Sequence, residues 1–491
     1  MKAPHLNLGA YRSMRGLAGG PSLLLPAKHL VTHGVVVGMT GSGKTGLVTV
    51  VAEEALRARI PVIAIDVKGD LPNLLLSFPD FEPDAWARWL RRDDTPLSDE
   101  ALRAELDKRR TALQAASIEE RELHSFHRST ELRVITPGST AGEQLHVLSP
   151  LERRSPRWDS DPESARDALS AAVSLVLRLL GRDPDPARSK EHVLLSVLAE
   201  RRLVAGGHAD IGVLMEDLSN PPITTIGALP IDAFFKKSER LSLAAALNSL
   251  LASPTFSSWR EGASLDVSEW VKPKDGRTPG VILSVAHLDD EERALVLGVV
   301  LEEILSWVRG LPGSGQLKAL VIFDEVYGFL PPHPANPPTK RPMVALMKQA
   351  RAFGVGVVVA TQNPMDLDYR ALSNAGLWCI GRLQTDADRA RVVDGLASSS
   401  TAGGDLKELN QTIGRLAPRW FVVRNAHVPE AGNVLLNPRH TMSILRGPLT
   451  RGELKEARET RAPHSQRDTG PSSGVQSKHG TSPELRDPGG G

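Results

Sequence analysis

Eight residues constrain this 491-residue chain more than any others. Gly38-Met39-Thr40-Gly41-Ser42-Gly43-Lys44-Thr45 satisfies the spacing G-x-x-x-x-G-K-[ST] of a phosphate-binding loop. The apolar run Gly34 to Val37 before it has strand composition, and Leu47, Val51, Ala55 and Leu56 after it recur at helical spacing. Strand, glycine loop and helix in that order are the context the motif requires. Such a loop turns tightly and points its N–H groups inward at a helix N-terminus, where the dipole also favours phosphate. Gly38, Thr40, Gly41, Ser42, Gly43, Lys44 and Thr45 are therefore expected to cradle nucleotide phosphates. Lys44 would reach the β- and γ-phosphates and the Thr45 hydroxyl would ligate Mg²⁺. The competing reading, a chance glycine-rich turn, is weakened by the flanking strand and helix.

Carboxylates at the ends of apolar runs supply the next candidates. Leu320 to Phe323 reads as a buried strand that ends on Asp324 and Glu325. A P-loop ATPase needs a carboxylate there to hold Mg²⁺, a place Asp324 fits. Glu325 is positioned to orient and deprotonate an attacking water. Val62 to Ile65 reads as a strand ending on Asp66, with Lys68 and Asp70 in the loop beyond. In open α/β sheets ligands lie past the carboxyl ends of the strands, which makes Asp66 a nucleotide-binding candidate. Val355 to Thr361 predicts a further strand, followed by Gln362, which would lie beside the γ-phosphate and sense it by hydrogen bonding.

Composition narrows the class without naming the partner. Lys and Arg number 59 against 58 Asp and Glu, so any nucleic-acid surface must be local. Aromatics make up only 4%, as suits helices packed on a parallel sheet. The single cysteine, Cys379, excludes an internal disulfide or a cysteine-based zinc site, lies in an apolar run and suits a reducing cytoplasm. No stretch approaches the roughly 18 apolar residues of a membrane span, and no secretory signal is evident. The expected organisation is a Gly- and Pro-punctuated arm over 1–30, then a first core segment over 31–150 that contains a charged helical excursion at 93–128. A helical insertion over 151–275 and a second core segment over 276–452 follow, and 453–491 is expected to be a disordered tail. Pro331 to Pro342 reads as a stiff loop whose cations, Lys340 and Arg341, are candidates for contact with a polymer.

This order of motifs resembles the HerA/FtsK group of RecA-like motor ATPases, and within it the bacterial HerA-like ATP-binding proteins. The resemblance is carried by His33 to Thr45, Asp66 to Leu71, Asp324-Glu325, Lys348 to Gly354, Ala360 to Pro364 and Leu445 to Thr450. It implies a RecA-like α/β core, ATP and Mg²⁺ as substrate and cofactor, and a cytoplasmic ring of six identical subunits that translocates DNA. It also implies an arginine donated across the subunit boundary, with Arg351 and Arg382 as candidates. HerA proper carries a β-barrel ahead of the loop that helps to dock a nuclease. Thirty residues do not make one, which puts a nuclease partner in doubt. A switch or assembly ATPase acting on a protein is the alternative function. A small-molecule kinase is disfavoured by the water-activating Glu325.

Overall fold

Apolar runs without polar alternation belong in strands covered on both faces. The computed structural model, which describes residues 4–14, 19–92, 95–372, 375–398 and 406–461, assembles them into one large sheet. Its strands in chain order are β1 (Gly9–Ser13), β2 (Gly19–Gly20), β3 (Gly34–Val37), β4 (Val62–Asp66), β5 (Thr130–Ile135) and β6 (Thr278–Ser284). They continue with β7 (Ala319–Asp324), β8 (Val355–Thr361), β9 (Leu377–Ile380), β10 (Phe421–Asn425) and β11 (Val434–Pro438). Among the described residues the sheet has 11 strands, in the order β2-β1-β11-β10-β9-β3-β8-β7-β4-β6-β5. From β9 to β5 every pairing is parallel, so Val37, Asp66, Ser284, Asp324, Thr361 and Ile380 all end on one edge.

Successive residues of these strands point to opposite faces, and each face has its own core. Val35, Val37, Ile63, Ile65, Val321, Phe323, Val357 and Val359 pack on one side against α8 (Asp290–Arg309) and the helical insertion. Val36, Val62, Ala64, Leu320, Ile322, Val358 and Ala360 pack on the other, against α1 (Lys44–Arg57) and the excursion helices α2 (Asp99–Gln114) and α3 (Glu120–Ser129). The insertion is built from α4 (Pro162–Leu179), α5 (Lys190–Val204), α6 (Ile211–Ser219) and α7 (Lys237–Ala252), with shorter pieces between. Its first long helix starts as its sequence dictates: Asp161 accepts from the Ser164 N–H at 3.2 Å and Pro162 occupies the first turn. Among the described residues, no helix is long and apolar enough to cross a membrane.

Several segments depart from the sequence reading. The lead-in over 1–30, readable as strand or arm, supplies strand that joins the main sheet, β1 pairing antiparallel with β11 so that Tyr11 faces Leu436. Pro331 to Pro342 is not loop throughout, because helix α9 (Lys340–Gln349) begins at Lys340. Pro342 is tolerated there since the first turn of a helix leaves its N–H groups unpaired anyway. Within the excursion, Arg109 is not a solvated charge. It lies over the Trp86 ring and donates to the carbonyls of Thr441 and Ser443 at 3.3 and 3.0 Å. The chain also stays ordered past residue 453 as α10 (Arg451–Arg461), which buries Leu454 and Ala457. The rest of the expected tail, 462–491, lies outside the described residues. Cys379 is buried, and burial pushes its thiol up to about 12, as befits a small core residue.

Candidate active site

The phosphate loop leaves β3 at Val37 and enters α1 at Lys44. Gly41 and Gly43 adopt φ of +77° and +94°, the left-handed region open to glycine. Gly38 has no room for a side chain, since a Cβ there would stand 2.6 Å from Ser42 Oγ. The loop is fastened from outside: Met39 N–H donates to the Arg382 carbonyl at 2.9 Å, and Arg419 N–H donates to the Ser42 carbonyl at 3.0 Å. Lys44 turns back on its own loop, Nζ donating to the carbonyls of Gly38 and, at 3.0 Å, Met39. Burial lowers its pKa to about 8 against the opposing pull of Glu325.

The strand order decides what meets the loop. The acid-bearing β7 is separated from β3 by β8, so the end of β8 lies between the acids and the phosphate loop. Gln362 bridges the two. Its side-chain oxygen accepts from Thr40 Oγ1 at 2.5 Å, and its backbone N–H donates to Glu325 Oε1 at 3.1 Å. Thr361 Oγ1 adds a second donor to that oxygen at 3.2 Å. Glu325 takes φ +65°, an unusual conformation for a residue with a side chain, and one of the kind that clusters at functional sites. Its other oxygen, Oε2, lies 2.6 Å from Lys68 Nζ.

Asp324 is 5% exposed, and its Oδ2 is buried without a hydrogen-bond partner among the described residues. Burial, with Asp66 and Glu325 adding like charge, raises its carboxyl to about 7. An unpaired buried oxygen beside a phosphate loop, with the Thr45 hydroxyl in the first turn of α1, is a donor set suited to a hard divalent cation.

Asp66, the nucleotide-binding candidate at the end of β4, is engaged by groups of the protein. Its Oδ1 accepts from the N–H groups of Gly69 and Asp70 at 2.9 and 3.1 Å, and its Oδ2 accepts from Ser284 Oγ at 2.8 Å. It is fully buried, which raises its carboxyl to about 6. Asp66 thus shapes the loop that presents Lys68. The two arginine candidates lie far apart. Arg382 is exposed beside its own phosphate loop. Arg351 is exposed in the turn Ala350–Phe353 before β8, at the opposite edge of the sheet. Sequence reasoning missed Arg419, whose Cα would sit 3.2 Å from a Cβ at Gly43 and whose guanidinium approaches His440 Nε2 at 3.3 Å. Nothing in the local sequence marks it, because only the antiparallel strand β10 that follows brings it to the loop.

Comparison with known proteins bears on the family resemblance and the fold. The family described as Helicase HerA-like C-terminal matches residues 18–77, which hold the phosphate loop, α1 and the Asp66 turn. None of the curated proteins matches. VirB4 of Thermoanaerobacter pseudethanolicus superposes with a TM-score of 0.51 at 12% identity, over 89% of this chain and 97% of that one. The plasmid coupling protein TrwB, solved with ADP and Mg²⁺, gives a TM-score of 0.47 at 15% identity, over 87% of this chain and 89% of its own. The likeness to VirB4 is one of fold, that of the RecA-like P-loop ATPases. The HerA-type resemblance seen in the motifs is met in the family match.

Proposed function

We propose that the protein hydrolyses ATP and couples turnover to movement along DNA, as a ring of identical subunits. The observation that carries the hydrolytic part is the convergence of Lys44, Asp324, Glu325 and Gln362 on one edge of the sheet, with Gln362 bonded to both loop and base. Lys44 binds the β- and γ-phosphates once it leaves the loop carbonyls. Thr45 and Asp324 would hold Mg²⁺, which when bound neutralises charge building on the phosphate oxygens. Glu325 orients a water in line with the γ-phosphate and takes its proton. Gln362 relates the occupancy of the phosphate site to the position of Glu325. Support for a DNA load is the HerA-like helicase match over residues 18–77. Six subunits, and Arg351 or Arg382 acting across a boundary, rest on the same resemblance.

One observation favours the alternative, a switch acting on a protein. The cations expected to touch a polymer are already engaged: Lys340 lies 3.7 Å from Asp368, and Arg341 pairs with Asp167 of the insertion, at 2.9 Å for one contact. The deciding experiment is ATP turnover by the purified protein with and without DNA, alongside its mass in solution. Stimulation by DNA of any sequence, weakening as salt rises, is the expected result. Turnover indifferent to every DNA tested would move the assignment to the protein-directed switch. Glu325→Gln should bind ATP near normally and fail to hydrolyse it, whereas Lys44→Ala should lose tight binding. Parental hydrolysis by Glu325→Gln would remove it as the base.

A further inference from the structure

Both carboxylate oxygens of Glu325 are engaged by groups of the protein itself. Oε1 takes donors from Thr361 and Gln362, which belong to the end of β8 and move only with the sheet. Oε2 takes Lys68 alone, at 2.6 Å. Each carboxylate oxygen has a second lone pair for water, but an ammonium held on Oε2 stabilises the carboxylate and weakens it as a base, so opening the Lys68 contact strengthens Glu325 as a proton acceptor. The rest of Lys68 is built to allow this. Its backbone is fixed by Asp66 through the N–H groups of Gly69 and Asp70, and Gly69, at φ +90°, lies against Pro448. Its side chain is 38% exposed, so the ammonium swings on a four-carbon stem from a rigid base.

The same ammonium acts electrostatically on Lys44 and on Asp324, which places it among the phosphate-binding groups. A terminal phosphate carries up to about two negative charges against one on Glu325, and Coulomb attraction scales with that charge. We propose that Lys68 is a positioning residue that answers to the γ-phosphate: it clamps Glu325 through the Oε2 contact and is drawn onto the terminal phosphate when ATP binds, which strengthens the base. ADP, one phosphate shorter, leaves the clamp closed. This rests on the ATPase reading and adds a way for the site to tell ATP from ADP before any chemistry.

The test measures the affinities of ADP and of the slowly hydrolysed analogue ATPγS in the parent, Lys68→Ala and Lys68→Arg proteins, with ATP turnover beside them. Losing one charge-assisted contact should weaken ATPγS roughly ten- to hundredfold, leave ADP within about twofold, and lower kcat. Lys68→Arg should recover most of the preference for ATPγS. Glu325→Gln, which loosens the clamp without touching Lys68, should tighten ATPγS relative to ADP, and this gain should vanish in the double variant with Lys68→Ala. An unchanged ratio of the two affinities in Lys68→Ala, or an equal loss for both nucleotides, overturns the proposal while leaving the ATPase reading intact. A parent that binds neither nucleotide sinks the ATPase reading and the clamp with it.

Discussion

Glu302 shows what a single buried acid does to this protein. It lies on α8, 8% exposed, facing Arg341, Asp167 and Arg309 and adjoining Glu303. Burial, aided by the charges of Asp167 and Glu303, raises its carboxyl to about 7 from an ordinary 4.5. The folded chain therefore binds a proton that the unfolded chain releases between those values. Stability from this group is fully present below about pH 4.5 and is lost as pH rises through 7. Glu302→Gln is expected to raise stability at pH 8 by up to about 2–3 kcal/mol and to leave it unchanged near pH 4.5. Urea denaturation at the two pH values checks this, and an equal gain at both would assign the effect to packing. Legibility at this scale followed the fixed spacings. The phosphate loop and Asp324-Glu325 were readable because their neighbours in sequence are their neighbours in space. The true partners of Asp66 were half readable: Gly69 and Asp70 lie in its own turn, but Ser284 comes from a strand 218 residues away.

Helix α1 illustrates the same divide for whole elements. Leu47, Val51 and Ala55 predict its buried stripe, and all three are buried. Its acids Glu53 and Glu54, which that stripe says nothing of, are 0% and 3% exposed. Glu54 takes the Asn7 N–H at 2.8 Å and its own helix's Arg57, but further donors to both glutamates come from the segment after β11. Arg439 gives one Nη to Glu53 and the other to Glu54, each at 2.9 Å. The Ser443 N–H and hydroxyl donate to the same Glu53 at 2.9 and 2.7 Å. A separation of 385 residues between Arg439 and Glu54 lies beyond any periodicity argument. Removing one side of a buried ion pair strands the other, so Arg439→Met should cost about 3–5 kcal/mol. A loss under about 1 kcal/mol by chemical denaturation would mean that water reaches the glutamates. The misread start of α9 has a simpler origin, because Pro337, Pro338 and Pro342 surround the two cations and their joint signal hid a first turn that accepts proline.

At the scale of the molecule, the parallel half of the sheet was legible through its apolar runs, among them those that lead to Asp66, Asp324 and Gln362. The antiparallel extension was not, because β1, β2 and β11 are short and take their pairing from opposite ends of the chain. The sheet also sets where Arg351 can act. It precedes β8, whose 7 residues, at about 3.3 Å each, put it roughly 20 Å from the edge that carries its own phosphate loop. If it serves a phosphate site at all, that site belongs to another copy. Arg351→Ala subunits mixed with Glu325→Gln subunits are expected to recover part of the ATPase activity that neither has alone. Mixed assemblies with no recovery would leave Arg351 outside catalysis.

The fastening of α1 by Arg439 and Ser443 also has a bearing on how the protein is made. Ribosomes deliver the phosphate loop, the Asp66 turn, both acids and Gln362 well before Arg439, so an interrupted product contains every residue of the site. Such a product keeps Asn7 and Arg57 for Glu54 but leaves the Glu53 carboxylate inside the helix without the Arg439, Met442 and Ser443 groups that receive it, and the helix that bears Lys44 loses part of its seat. Premature termination should therefore yield polypeptides that cannot sequester nucleotide, despite carrying the entire catalytic sequence. The segment after β11 acts as a completeness check on the first helix.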